Sequence, residues 1–199
     1  MAYGNLITLE GKKIALNRVF KETPDYTAPA HFKVGIGDAT PDNGDTDLET
    51  PVIVSENDSG TTTSTSANHL VETGQNFTST VDVGDIVMNT TDNTWAYVTQ
   101  VNSNTDLTLS SDIMVSGENY IVGTSKKVID TSYPVFDENN LQATISCTLL
   151  GLEGNGNIIT EFGLFNDDTT NKCFSRAVFE GITKDESVQL IFVEKDMII

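Results

Sequence analysis

Within Leu141–Leu150 the chain alternates without a break as far as Leu149. Leu141, Ala143, Ile145, Cys147 and Leu149 are apolar, and Gln142, Thr144, Ser146 and Thr148 between them are polar. A two-residue period places one set on each side of a β-strand, one against a core and one toward water or a neighbour. The stretch Asn157–Glu180 extends this. Ile158, Thr160, Phe162 and Leu164 share one side of a first run. Phe174 and Val178, with Ala177 and Phe179 opposite, fill a second. The turn-rich NDDTTNK between them predicts a long β-hairpin with both faces partly covered.

More strands are predicted on the same grounds. In His31–Gly37, Phe32, Val34 and Ile36 alternate with Lys33, Gly35 and Gly37, and the glycines on the second face predict close approach of another backbone. Pro51–Val54 is a short strand, and Val188–Val193 a last one, with Val188, Leu190 and Phe192 on one side. The terminal Met197–Ile199 is tucked into a sheet or covered by a neighbouring subunit. One helix is predicted, Thr8–Phe20, with Thr8 as N-cap and Glu10 in the first turn. Leu9, Leu16 and Phe20, joined by Ile14 and Val19, form an apolar stripe expected to pack on a sheet. Gly11 weakens this helix by about 1 kcal/mol relative to alanine.

Composition shifts at Ser55. From there to Thr124 nearly half the residues are Ser, Thr or Asn. SGTTTSTS reads as a low-complexity linker. Short strands follow at Ile86–Met88, Trp95–Val101, Leu107–Leu109 and Tyr120–Val122, a spacing that suits a small antiparallel barrel or sandwich. The expected fold is therefore mainly β: an antiparallel β-sandwich core, residues 1–54 with 126–199, carrying one N-terminal helix and an inserted small β-barrel or sandwich domain, residues 55–125.

The charge is strongly acidic, 29 Asp and Glu against 11 Lys and Arg, a formal net of −18. Between Lys33 and Lys126 there is no Lys or Arg, but 14 Asp and Glu. Such a region repels nucleic acid and anionic membrane, so neither is an expected partner. No apolar run approaches the roughly 20 residues that span a bilayer. The opening MAYGNLITLEGKK has no basic segment leading into an apolar core and is not read as a secretory signal.

Candidate chemistry is sparse. Asp42, Asp45, Asp47 and Glu49 in the acidic loop Asp38–Glu49 offer oxygens to a hard cation, but their spacing does not match an EF-hand, and a solvated loop is expected. His69 has no nearby Cys or second His, so no metal site is expected. The adjacent carboxylate pairs Asp137–Glu138 and Asp167–Asp168 do not face each other as glycoside hydrolysis requires. Cys147 and Cys173 read as small buried hydrophobes, with a bridge between them left open. Trp95 and Tyr97 alternate on one face, expected to be core; the alternative is an aromatic platform that stacks on a sugar. No catalytic residue and no cofactor is expected.

Two separated motifs carry a resemblance. NLITLEGKKIALNRVF, FKVGIGDATP and TDLETPV near the start, and IITEFGLFNDDTTNKCFSRAVFEGITK near the end, are similar to segments of bacteriophage tail-fibre or collar-type virion structural proteins. The resemblance covers roughly residues 1–54 and 126–199. The insert, through HLVETGQNFTSTVDVGDIVMNTTDNTWAYVTQV, also looks like a recurrent phage structural segment. The resemblance implies a non-enzymatic virion component of the tail, collar or baseplate, assembled in the host cytoplasm. Its implied partners are copies of itself, as a homo-trimer or other homo-oligomer, and other virion proteins. A capsid decoration protein and an adhesin for host surface glycan are the alternative functions.

Overall fold

The computed structural model describes residues 4–167 and 172–197. The chain is mainly β, its sheets antiparallel and consistent with a β-sandwich. It divides into two compact units, residues 1–52 with 126–199, and residues 53–125. The first unit opens with β1 (Gly4–Ile7), α1 (Leu9–Phe20) and β2 (Pro29–Gly35). The second holds β3 (Ser55–Thr61), β4 (His69–Val71), α2 (Phe77–Thr80), β5 (Ile86–Asn89), β6 (Thr94–Ser103), β7 (Asp106–Leu109) and β8 (Asn119–Thr124). The first then resumes with β9 (Lys127–Val128), β10 (Val135–Asp137), β11 (Gln142–Leu149), β12 (Ile158–Asn166), β13 (Cys173–Thr183) and β14 (Leu190–Met197).

In the first unit a five-stranded sheet, in the order β1-β13-β12-β2-β9, is built on the β12–β13 hairpin. A three-stranded sheet, β10-β11-β14, packs on one of its faces. Phe32, Val34, Phe162 and Leu164 of the first sheet and Ile145, Cys147 and Leu149 of the second are all buried, and the Phe162 and Phe192 rings stack between the sheets at 4.8 Å. Loop 36–50 covers the opposite face, where Leu48, Phe165 and Cys173 form a second small cluster. Both faces of β12 are thus covered, and only Ile158 at its start is exposed. The two cysteines are free and buried, on different sheets; burial, first of all, pushes both thiols well above their usual pKa.

Several expectations are corrected. Leu141 has a positive φ of 50° and is 63% exposed, so the alternating strand starts one residue later. Pro51–Val54 is not a strand: Pro51 makes one isolated bridge to Gly35, and Val52 N–H donates to the Val34 carbonyl. SGTTTSTS is no linker. Its first residues belong to β3, paired with β8 from Ser55 to Thr61, and Ser64 bridges Val71. The strand has no apolar alternation because most of its side chains are exposed; main-chain pairing holds it. Ile198 and Ile199, and with them most of the terminal apolar triplet, lie outside the described residues.

The helix forms where expected, with Thr8 Oγ1 accepting from the Gly11 N–H at 3.0 Å, but it is turned the other way. It buries Gly11 and Ile14 against β13 and leaves Leu9, Leu16, Val19 and Phe20 exposed. Contact with the sheet selects the face that allows closest approach: a Cβ on Gly11 would lie 2.0 Å from the Phe174 carbonyl oxygen.

The second unit is a single six-stranded antiparallel sheet, β3-β8-β5-β6-β7-β4. It encloses Leu70, Phe77, Val87, Val98, Leu107 and Tyr120. The Tyr120 hydroxyl reaches the rim of this core and donates to Glu72 Oε2 at 2.6 Å.

Candidate functional site

The most closely built cluster of functional side chains lies under loop 36–50, on the face of the five-stranded sheet away from the β10-β11-β14 layer. Glu161 sits in β12 between Thr160 and Phe162, and none of it is exposed. Its Oε1 accepts from the Gly37 N–H at 3.1 Å and the Thr50 N–H at 2.8 Å. Its Oε2 accepts from the Glu49 N–H at 3.1 Å and from Arg176 Nε and Nη2 at 3.0 and 2.9 Å. Arg176, on the neighbouring strand β13, also donates through Nη1 to Asp45 at 2.9 Å. Burial alone would weaken the hold of Arg176 on its proton; the hydrogen bonds to Asp45 and Glu161 outweigh it and raise the pKa.

This clamp explains the glycines of β2 and the turn after it. A Cβ on Gly35 would lie 2.4 Å from Glu161 Oε1, and one on Gly37 would lie 2.5 Å from the Glu49 Cβ. Close approach, expected from the sequence, is the approach of the loop and of a carboxylate. The acidic loop is mostly exposed, as expected, but its Asp45, Asp47 and Glu49 carboxylates are engaged. Asp45 holds Arg176, and both oxygens of Asp47 accept from the buried Lys33 at 2.8 Å. Glu49 accepts from the N–H groups of Asp38 and Ala39. Among the described residues no group of His, Cys, Asp and Glu is placed to hold a metal ion. Chemically the clamp is a saturated one. Donors fill both oxygens of Glu161, an arrangement suited to fixing a loop on a sheet.

A second buried charge holds the other end of the hairpin. Lys184 is fully buried, and its Nζ donates to the Gly151 and Asp185 carbonyls at 2.9 Å and to Asn155 Oδ1 at 2.7 Å. Desolvation lowers its pKa. Lys184→Met should cost about 2–4 kcal/mol, because it strands two backbone carbonyls and an amide oxygen. The shift of the urea midpoint checks this, and a loss below about 1 kcal/mol would mean that water replaces the ammonium.

The first unit also carries an open apolar groove of about 490 Å³, lined by Phe179, Ile182, Leu190, Ile191 and Phe192. Strand β1 reaches only to Val178, so beyond it β13 has an unpaired edge among the described residues. Among the described residues, strand β14 pairs with β11 alone. Ile182, Ile191 and Val193 are 40%, 60% and 56% exposed. Unpaired edges beside apolar surface favour pairing with another chain.

Trp95 and Tyr97 are together, but not in the core. Ala96 and Val98 take the core face of β6, and the two aromatics project from the other face, half-buried, with ring centroids 5.2 Å apart and nearly perpendicular. The core of this unit is filled by Phe77 and Tyr120, so the smaller side chains of β6 fit inward. His69 Nδ1 donates to Asp106 Oδ1 at 2.7 Å. Asp137 accepts from the N–H groups of Asn139 and Asn140 in its turn; Asp168 lies outside the described residues.

Glu161, Arg176, Lys33 and Lys184 were not singled out by sequence reasoning. The available signal was a charged residue in the middle of an apolar strand run, as in TEFGLF and SRAVF, with opposite charges on the two arms of one hairpin. Comparison of the chain with family models, curated proteins and solved structures returns no match.

Proposed function

We propose that the chain is a non-enzymatic structural subunit of a phage virion, in the tail, collar or baseplate, where it assembles with copies of itself and with other virion proteins and displays its inserted unit. The observation that carries this reading is the convergence of the motif residues. Gly37, Glu49 and Thr50 come from the N-terminal motifs, and Glu161 and Arg176 from the C-terminal one, with Asp45 from the stretch between the N-terminal motifs. All of them meet in one saturated clamp. The residues on which the resemblance rests thus serve architecture. The open groove, beside two strand edges that are unpaired among the described residues, supplies surface for assembly.

Quantitative mass spectrometry of purified particles of the encoding phage tests the reading. The digestion needs a second protease, because trypsin has no site between Lys33 and Lys126. A small fixed copy number per particle is expected. Hundreds of copies would place the chain on the capsid shell as a decoration protein, and absence from the particle would overturn the virion reading. A second reading, adhesion to host surface glycan, is favoured by one observation, the outward placement of Trp95 and Tyr97. A glycan array probed with the full chain should then give signals that Trp95→Ala removes. Silence across host glycans would sink it.

A further inference from the structure

We infer that the outward face of α1 is the contact surface for a second copy of this chain. The helix buries only Gly11 and Ile14. Leu9, Leu16, Val19 and Phe20 are 52%, 60%, 65% and 80% exposed. At 100° per residue, Leu9, Leu16 and Phe20 fall within roughly 40° of one another, with Val19 at their flank. Single exposed hydrophobics are ordinary, but four on one side of a helix of 12 residues form a continuous patch, which marks an interaction surface.

The charge around the patch identifies the occupant. Lys12 and Lys13 flank the stripe and Lys21 stands at its C-terminal cap, the last two in exposed, weak pairs with Glu10 and Asp25, whereas Arg18 lies about 160° from Leu16 and Phe20 on the other side, in a chain with 29 Asp and Glu against 11 Lys and Arg. A partner for this face is apolar at its centre and anionic around it. A second copy meets both conditions. The fold also sets the acidic loop directly beside the helix: the Leu9 N–H donates to the Asn43 carbonyl at 2.8 Å, and Lys12 Nζ donates to Asn43 Oδ1 at 2.8 Å. Asp38 and Asp42 of that loop are exposed.

A patch whose basic, apolar part adjoins an acidic part is complementary to itself under a two-fold rotation. Stripe meets stripe near the axis, and the cations of each copy face the acidic loop of the other. Such a contact weakens with added salt, because it brings exposed charges together. It does not require the chain to be a virion component, so absence from particles would remove the virion reading and leave this one standing.

Sedimentation equilibrium of the full chain at low salt tests it. The wild type should form dimers or another even-numbered assembly that dissociates as salt rises. Leu16→Glu with Phe20→Glu should weaken association by about tenfold or more, since both changes lose apolar contact and add anionic repulsion. Lys12→Glu with Lys13→Glu should weaken it as well. Ile191→Glu, in the groove between β13 and β14, should leave it unchanged. All these positions are exposed, and protection of the buried Cys147 and Cys173 from thiol reagents confirms that each variant is folded. A wild type that stays monomeric, a helix variant that associates as well as wild type, an assembly broken only by Ile191→Glu, or a closed odd-numbered ring would overturn the inference.

Discussion

Glu161→Ala should destabilise the first unit by about 3–5 kcal/mol, the cost of breaking a buried, hydrogen-bonded ion pair from one side. The loss has two sources. Arg176 stays buried, left with the partly exposed Asp45 at 2.9 Å and the exposed Glu49 at 3.8 Å. The N–H groups of Gly37, Glu49 and Thr50 lose their acceptor, and loop 36–50 loses its attachment to β12. Arg176→Met should cost less, because three backbone donors still hold the carboxylate. Cys147 and Cys173 make the measurement direct. Both are wholly buried in this unit, so the rate at which a thiol reagent reaches them reports how often it opens. For Glu161→Ala that rate should rise roughly 100-fold or more under native conditions. A change of less than about 1 kcal/mol would show that packing of Leu48 and Phe165 alone holds the loop.

Gly11→Ala should destabilise the chain by about 1–3 kcal/mol, although the same change in an unpacked helix stabilises by about 1 kcal/mol. The sign reverses because a methyl group has nowhere to go. Its carbon would stand 2.0 Å from the Phe174 carbonyl oxygen, a backbone atom that cannot rotate away. The helix must lift from β13. That strains the hydrogen bond from the Thr8 N–H to the same carbonyl, 3.0 Å long, and uncovers Ile14. Thermal unfolding of the variant settles the direction, and a raised melting temperature would mean that α1 is not held close to the strand.

Strand existence was legible wherever apolar side chains alternated with polar ones or ran together in a short stretch. The alternation of Leu141–Leu150 corresponds to β11, and the two runs of Asn157–Glu180 pair as β12 and β13. Strands held mainly by main-chain pairing escaped notice. Strand β3, SENDSGT, offers no apolar period, and Ser and Thr runs occur in linkers and in exposed strands alike. The N-cap of α1 was legible because it depends on one hydroxyl and its own next turn. The direction of the helix was not, since an apolar stripe predicts burial only when some surface is available to receive it.

The site residues divide in the same way. Alternation put Trp95 and Tyr97 on one side of a strand, as they are. Which side was inward depended on Phe77 and Tyr120, far away in the chain, filling the core first. Glu161 and Arg176 were visible as charges inside apolar runs, but a charge there implies a partner without naming it.

The sequence by itself determined the local matters: mainly β structure, the positions of the long strands, the capped helix, the acidic loop and the need for glycine at Gly35 and Gly37. These follow from side-chain period, capping chemistry and steric freedom within a few residues. Only the tertiary structure decided that Glu161 joins Gly37, Thr50 and Arg176, that Lys184 is caged by carbonyls, and that the helix shows its apolar stripe to the outside. Each of these depends on which distant group reaches a position first, and desolvation makes the choice all-or-none. A buried charge is tolerated only where several donors or acceptors from separate segments converge on it, and their convergence is a property of the fold.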